Sequence, residues 1–447
     1  MVKFGGSRSA RFVGALGVAL LLAGCSSGSS SSTTTSTTSA SGSSTTTSGG
    51  TSSSAPGVTA TTINIGAITS RTGPLAGYFA QFSPGMIAYF NTVNAAGGVD
   101  GRKIELTYNL DDGGSPSQFT QLTHTLIDQD HVFAIGTASQ WFTPNYFVET
   151  NTPTYGYNVT GNWSPNPNLF AAGGSVQDYS ANTPTLAYFL KATHSASVGF
   201  ISYGPIISAS YDACHVGAQE LQAAGYKVSF VDVGAGLGGS YTSDVQRLQS
   251  TGTQAVISCM QASDNISLAR AIQQYGLSIK QLWLNGYDQT LLNQYQSLMQ
   301  GVYLNNQGNV PFGAVQYPTV YPGMVAYTAA MNKYSPQYTT SNVAMAGWQS
   351  EALIVAGIKA AGSNLTQSGV IDATNKITDF TAGDTQSPTD WTNAHTTATF
   401  PACSSWVQVK GSTFVTVFAP GKQVFVCVGP DAKNPVPVTP PAGTPGA

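Results

Sequence analysis

Apolar runs of four to eight residues alternate with amphipathic stretches along most of residues 58–430. In the first half of this region the pattern predicts strands at 62–68, 103–110 and 132–135, with helices at 84–95 and 117–128. It then predicts strands at 198–203, 227–233, 255–260 and 281–285, with helices at 211–224, 242–250 and 265–275. A further helix at 341–361 and strands at 406–409, 414–418 and 423–428 complete the pattern. Such alternation predicts parallel sheets covered by helices on both faces, in two successive sets.

The predicted fold class is therefore α/β, with two doubly wound lobes facing one another across a cleft. We place lobe 1 at 59–178 and 309–395, and lobe 2 at 179–308 and 396–432. In open parallel sheets, ligands bind beyond the carboxyl ends of the strands, where the strand order reverses. Because the chain would cross between the lobes more than once, we expect a hinged clamshell.

The amino terminus resembles a bacterial lipoprotein signal. The first eleven residues carry basic side chains and no acid, and the apolar run at 12–23 is shorter than the roughly 20 residues that span a bilayer. Small residues then precede Cys25, in the manner of a lipobox. We interpret 1–25 as a signal peptide with Cys25 as the lipidation site, which would anchor an extracytoplasmic protein to the membrane. The alternative is an ordinary secretion signal with an incidental cysteine.

Two flanking segments lack the composition of a packed core. Residues 26–58 are dominated by Ser, Thr, Gly and Ala, and we predict a disordered linker there. Residues 433–447 are rich in Pro, and we predict a disordered tail.

The charge and cysteine content of the chain limit its possible partners and indicate its compartment. Only 8% of the chain is charged and the net charge is -3, without a basic stripe, so nucleic acid is not an expected partner. Apart from Cys25 the cysteines are even in number, which suits an oxidising compartment. Of the three possible pairings we favour Cys403 with Cys427 and Cys214 with Cys259, with buried free thiols as the alternative. Their spacing does not favour a zinc site, and no metal is predicted.

Five segments, taken in order, resemble the leucine/isoleucine/valine-binding proteins of bacterial ABC importers. They are INIGAITSRTGPLAGY (63–78), NAAGGVDGRKIEL (94–106), DDGGSPS (111–117), FAIGTASQ (133–140) and LNGYD (284–288). The resemblance implies the type I periplasmic binding protein fold, two α/β lobes joined by three crossovers. It also implies a monomer that uses no cofactor, takes part in amino acid transport, and binds a small amino-acid-like, carboxylate or amide ligand for a membrane permease.

The resemblance also implies ligand-binding residues in lobe 1. Ser139 and Thr160 match the hydroxyls that hold the ligand carboxylate, and Gln140 follows Ser139 directly. Tyr78 matches the aromatic lid over the ligand side chain, and Asn158 matches a backbone position before the threonine. Neutral hydroxyls and backbone N–H groups suit a carboxylate without a buried counter-charge.

In lobe 2 the sequence departs from the family pattern. Gln261 and Tyr287 stand where the family places a tyrosine and a glutamate on the ligand ammonium group. A buried ammonium normally needs a carboxylate partner. Either Asp288 supplies it, or the ligand is not an α-amino acid. We also expect an aromatic rim formed by Tyr78, Phe79, Trp141, Phe142, Trp163 and Tyr287.

Enzymatic alternatives find little support in the sequence. The glycines at 234–239 match GxGxxG, but they do not follow the first strand and lack the acid about twenty residues later, so a flexible loop is expected. None of the five histidines stands in a Gly-x-Ser-x-Gly or His-x-x-x-His setting. We therefore expect a binding protein and no enzyme. A ligand-sensing receptor that uses the same clamshell is the alternative.

Overall fold

A parallel sheet organises the first part of the chain. The computed structural model describes residues 55–398 and 403–446. The strands of the first sheet are β1 Thr62–Thr69, β2 Lys103–Asp111, β3 Ala134–Ala138, β4 Thr154–Gly156 and β5 Leu169–Ala171. They lie in the order β2-β1-β3-β4-β5, and every neighbouring pair is parallel. The order reverses between β1 and β3, which is where such sheets bind ligands.

A second, larger sheet follows the same plan and adds antiparallel strands. Its strands are β6 Val198–Tyr203, β7 Val228–Ala235, β8 Ala255–Ser258, β9 Lys280–Trp283, β10 Tyr303–Asn305, β11 Cys403–Lys410, β12 Thr413–Thr416, β13 Phe425–Val428 and β14 Pro437–Val438. The order is β14-β13-β11-β10-β9-β8-β6-β7, with β12 paired to β11. Strands β6 to β10 are mutually parallel, and β11 begins the antiparallel part.

The helices cover both sheets. They are α1 Ala76–Phe79, α2 Phe82–Ala95, α3 Pro116–His124, α4 Asn145–Glu149, α5 Thr183–Ala192, α6 Ser208–Ala223, α7 Thr242–Ser250, α8 Ala262–Gln274, α9 Gln289–Met299, α10 Pro322–Tyr334, α11 Asn342–Ala361 and α12 Gln367–Thr374. Several begin at a side-chain cap; the hydroxyl of Ser341, for example, accepts from the Ala344 N–H at 3.2 Å at the start of α11. A π-helical turn, Thr125–Gln129, extends α3, and short 3-10 turns lie at Ser180–Asn182, Phe312–Gln316 and Pro336–Tyr338.

The chain passes between the two sheets as the clamshell prediction requires. It leaves the first sheet after β5, returns after β10 to place α11 and α12 against the first lobe, and enters the second sheet again at β11. The predicted α/β class and two-lobed architecture are confirmed. The hydrophobic pattern did not predict strands β4, β5 and β10, because each is only three residues long.

Both predicted disulfides are present. Cys403 and Cys427 face each other in the β11–β13 pair and are bonded. Cys214 on α6 is bonded to Cys259, which follows β8. The second bridge therefore fixes a helix of lobe 2 to the strand end beside the cleft.

The flanking segments are described in part. Cys25, the signal peptide and most of the predicted linker lie outside the described residues. Of the linker's end, Val58 packs into the first-lobe core and Gly57 lies against the backbone of Val132 and Phe133. In the predicted tail, Pro437–Val438 forms β14 on the edge of the second sheet. The structure therefore attaches part of the tail to lobe 2.

Helices α2 and α11 make a very close contact. A Cβ atom on Gly85 would lie 1.8 Å from the Ala344 carbonyl oxygen, and one on Gly347 would lie 2.1 Å from the Phe82 carbonyl oxygen. Because neither glycine has a side chain, the backbone of the opposite helix can lie directly against it. Most of α11 is buried as a result, with side chains in the cores of both lobes.

Replacing Gly347 with Ala tests this contact. The added methyl group overlaps the Phe82 carbonyl, so the helices must separate, and we expect the free energy of unfolding to fall by about 1–3 kcal/mol. Urea denaturation measures this change. Gly77→Ala is the control, because a Cβ at helical Gly77 meets nothing within 4 Å; it should be neutral or stabilising by up to about 1 kcal/mol. Equal effects at both positions would contradict the role given to Gly347.

The same helix carries a buried acid. Glu351 is 0% exposed, and within the described residues neither of its carboxyl oxygens has a hydrogen-bond partner. It lies with Met86 against the backbone at Gly136. Burial raises the pKa of Glu351 well above its ordinary value, so the folded protein releases this proton at a higher pH than the unfolded chain does.

This burial predicts a pH dependence of stability. Because the unfolded chain loses the Glu351 proton above a pKa of about 4.3 while the folded chain keeps it to a higher pH, the free energy of unfolding should fall as pH rises. The slope is at most about 1.4 kcal/mol per pH unit from this group. In Glu351→Gln that contribution disappears, which urea titrations between pH 4 and 8 would detect as a pH-dependent difference from the native protein. A difference that stays constant with pH would refute the prediction.

Candidate functional site

A cavity of about 250 Å³ lies where the carboxyl ends of the two sheets face each other. Its walls come from loops that directly follow strands: Tyr157 and Asn158 follow β4, Gln261 comes after β8, and Asn285 and Asn306 follow β9 and β10. The volume is below the roughly 300–1,000 Å³ typical of drug-sized sites. The cavity therefore suits a small ligand held by both lobes.

Tyrosines and amides form most of the first-lobe wall. The hydroxyls of Tyr78 and Tyr157 share a hydrogen bond of 2.7 Å, and burial raises the pKa of both phenols. Gln140 donates from Nε2 to the hydroxyl of Ser208 at 3.2 Å, at the start of α6. Asn158 donates from Nδ2 to the Ser175 carbonyl at 2.8 Å. Because Ser208 belongs to the second lobe, the Gln140 contact joins the lobes directly.

The second-lobe wall is organised by the buried carboxylate of Asp264. It accepts from the Tyr203 hydroxyl, from Gln261 Nε2 at 3.1 Å and from the Gly238 N–H at 2.9 Å. Burial, followed by the bond to Asp264, raises the pKa of the Tyr203 phenol. The Gly238 hydrogen bond therefore attaches the glycine loop at 234–239 to the site, although the sequence predicted a flexible loop there.

Two predicted residues lie side by side after β9. Tyr287 lines the cavity, and its hydroxyl accepts from the Phe312 N–H at 2.9 Å. Asp288 also lines the cavity, but its Oδ1 caps α9 by accepting from the N–H groups of Thr290 at 2.7 Å and Leu291 at 3.4 Å. Burial raises the pKa of Asp288. In the described residues it is the one acid of the cavity lining, which contains no Lys, Arg or His.

The structure brings six of the eight predicted ligand-binding residues to the cavity: Tyr78, Gln140, Asn158, Gln261, Tyr287 and Asp288. Ser139 and Thr160 are not in the lining. The buried Ser139 hydroxyl donates to Asp112 and accepts from the Trp141 N–H at 3.0 Å. The Thr160 hydroxyl is buried and has no hydrogen-bond partner among the described residues. The pair is therefore not assembled as a carboxylate anchor on the cavity wall, and a role in ligand binding stays a prediction for both.

Three of the six predicted rim aromatics, Trp141, Phe142 and Trp163, are not in the cavity lining. Phe142 and Trp163 stack at 4.4 Å between ring centroids in a buried core of lobe 1, where they help to hold the sheet. Sequence reasoning also missed Tyr157, Gln177 and Asn306 in the lining. Tyr157 and Asn306 follow strands too short to predict, so their position at a strand end had no signal in the sequence.

Metal and membrane features are absent from the described ranges. No group of three or more His, Cys, Asp or Glu side chains there is placed to hold a metal ion. None of the helices in residues 55–398 and 403–446 is long and apolar enough to cross a membrane.

Comparison with known families agrees with this architecture. The family model described as "Periplasmic binding protein" matches residues 62–413. The chain therefore belongs to the periplasmic binding protein family, a family of extracytoplasmic substrate-binding proteins. The resemblance found in the sequence is confirmed at this level. No curated protein matches the chain.

Solved structures share the fold. A fatty acid ABC transporter substrate-binding protein from Thermomonospora curvata is 19% identical, covers 86% of this chain and 97% of its own, and superimposes with a TM-score of 0.70. A branched-chain amino acid ABC transporter protein from Thermus thermophilus, solved with valine, is 16% identical over 81% of this chain and 96% of its own, with a TM-score of 0.67. A leucine-binding protein from Thermotoga maritima is 15% identical over 79% and 97%, with a TM-score of 0.61. At these identities the likeness establishes the fold.

Proposed function

We propose that this protein is the extracytoplasmic substrate-binding component of an ABC importer. It captures one small ligand between its lobes and delivers it to a membrane permease. The observation that carries this proposal is the cavity of about 250 Å³, lined from both lobes at the carboxyl ends of their strands. The similar proteins from Thermomonospora curvata and Thermus thermophilus are ABC transporter proteins, which supports a role in transport.

Contacts across the cleft support a closing motion of the lobes. Gln140 of lobe 1 donates to Ser208 of lobe 2, and α1 contacts α8 across the cleft. A ligand that touches both walls adds contacts made only in the closed state, and it shifts the population toward closure. The permease would then recognise the closed form.

A ligand screen tests the binding function. The full-length protein is heated with amino acids, carboxylates, amides, amines, polyols and fatty acids, and small-angle scattering follows the hits. A ligand present at 1,000 times its Kd should stabilise the fold by about 4 kcal/mol and make the particle more compact. The ligand should be recovered chemically unchanged. Turnover of the bound compound, or the lack of any response across the screen, would overturn the proposal.

We also propose that Cys25 carries a lipid that holds the mature protein on the outer face of the membrane. The support is the basic, apolar and small-residue pattern that ends at this cysteine. Replacement of Cys25 by Ala should move the protein from the membrane fraction to the soluble fraction of the cell envelope or the medium, as followed by immunoblot. Unchanged membrane retention would contradict a lipid at this position.

A further inference from the structure

The orientation of three cavity amides is set by their partners. Gln177 donates from Nε2 to the Asn158 carbonyl, and Asn285 donates from Nδ2 to the Met260 carbonyl at 3.1 Å. Gln261 donates from Nε2 to the Asp264 carboxylate. A carbonyl or carboxylate oxygen only accepts hydrogen bonds, so each of these amides must present its nitrogen to the protein.

The opposite end of each amide is a carbonyl oxygen that accepts no hydrogen bond among the described residues. Gln177 follows β5 of the first lobe, whereas Gln261 and Asn285 belong to the second, so these acceptors come from both sides of the cavity. The Tyr203 hydroxyl offers no proton here, because it donates to Asp264. A ligand that hydrogen-bonds to these three oxygens therefore has to supply N–H or O–H donors.

A matching donor is available on the cavity wall. Asn306 lines the cavity and is 2% exposed, and its Nδ2 has no hydrogen-bond partner among the described residues. Its Oδ1 accepts from Asn342 Nδ2 at 3.3 Å. Leaving an amide nitrogen unpaired in the interior is unfavourable, and a ligand oxygen would satisfy it.

The cavity lining offers few groups that could neutralise a charged ligand. In the lining that the structure describes, Asp288 is the one ionisable acid, and its Oδ1 already accepts two backbone N–H groups of α9. No cationic side chain lines the cavity to balance a carboxylate, and the Ser139 and Thr160 hydroxyls predicted to hold one are not in the lining. A buried charge without a partner is strongly disfavoured.

We propose that the ligand is uncharged and donates N–H or O–H hydrogen bonds to Gln177, Gln261 and Asn285. This rests on the proposed binding function and specifies its ligand class. Carboxamides and polyols share the required chemistry, since both combine such donors with an oxygen that Asn306 can bind. Asp264 is a positioning residue, because it turns the Gln261 carbonyl toward the cavity.

Matched compounds test the ligand class on the full-length protein. Isobutyramide is compared with isobutyrate, isobutylamine and valine, and ribitol is compared with ribonate, by thermal shift and then calorimetry at neutral pH. We expect at least one neutral member to bind ten-fold or more tightly than its charged partners. If a carboxylate, an amine or valine binds as tightly as the neutral compound, the inference fails while the binding function stands. If no compound in this set or the wider screen binds, the proposed function fails as well.

Variants test the role given to Asp264. Asp264→Asn should lower affinity for the neutral compound at least ten-fold and reduce its preference over the amine, because Gln261 loses its fixed orientation. Gln261→Leu removes the acceptor itself and should cause a similar loss of affinity in a protein that still unfolds cooperatively, which separates binding from folding. Asp100→Asn is the matched control, because Asp100 is exposed with a φ of 48° that Asn tolerates. Unchanged selectivity in both site variants would overturn the assignment.

Discussion

The close packing of α2 against α11 is the contact on which the arrangement of the lobes depends. Gly85 and Gly347 allow each helix to lie against the backbone of the other, and a side chain at either position would force them apart. Residues of α11 then enter two cores: Leu353 packs with the first sheet, whereas Trp348 packs with α10 and the second lobe. Because interiors are close-packed, this shared helix holds the two sheets in a defined relation.

That relation places loop residues from separate strands around one cavity. The polar groups of the cavity are held mainly by the protein itself: Asp264 binds Tyr203, Gln261 and Gly238, and Tyr78 is paired with Tyr157. Fixed hydrogen-bonding groups do not have to be ordered when a ligand arrives, so less conformational entropy is lost on binding. The conformational entropy of these groups is lost when the protein folds. The Cys214–Cys259 disulfide lies beside the same wall.

The fold could be predicted from the sequence because the signals for its strands and helices are local and repeated along the chain. Alternating apolar runs gave the longer strands, and the motif around INIGAITSRTGPLAGY gave the family. Tyr78, Gln140 and Asp288, which the sequence predicted to bind ligand, line the cavity. The sequence was a poorer guide where a side chain has two possible hydrogen-bond partners. Ser139 stands in the expected loop, yet its hydroxyl bonds to Asp112, which comes from the adjacent strand end.

The sequence by itself determined the α/β class and the family, because periodicity and motif order are written along the chain. It favoured the two cysteine pairings that the structure contains. Only the tertiary structure decided which polar groups face the cavity and which end of each amide is free. That choice depends on contacts between residues far apart in sequence, such as Tyr203 with Asp264 and Gln140 with Ser208. Which groups become hydrogen-bond partners is a property of the fold, and neither residue alone encodes it.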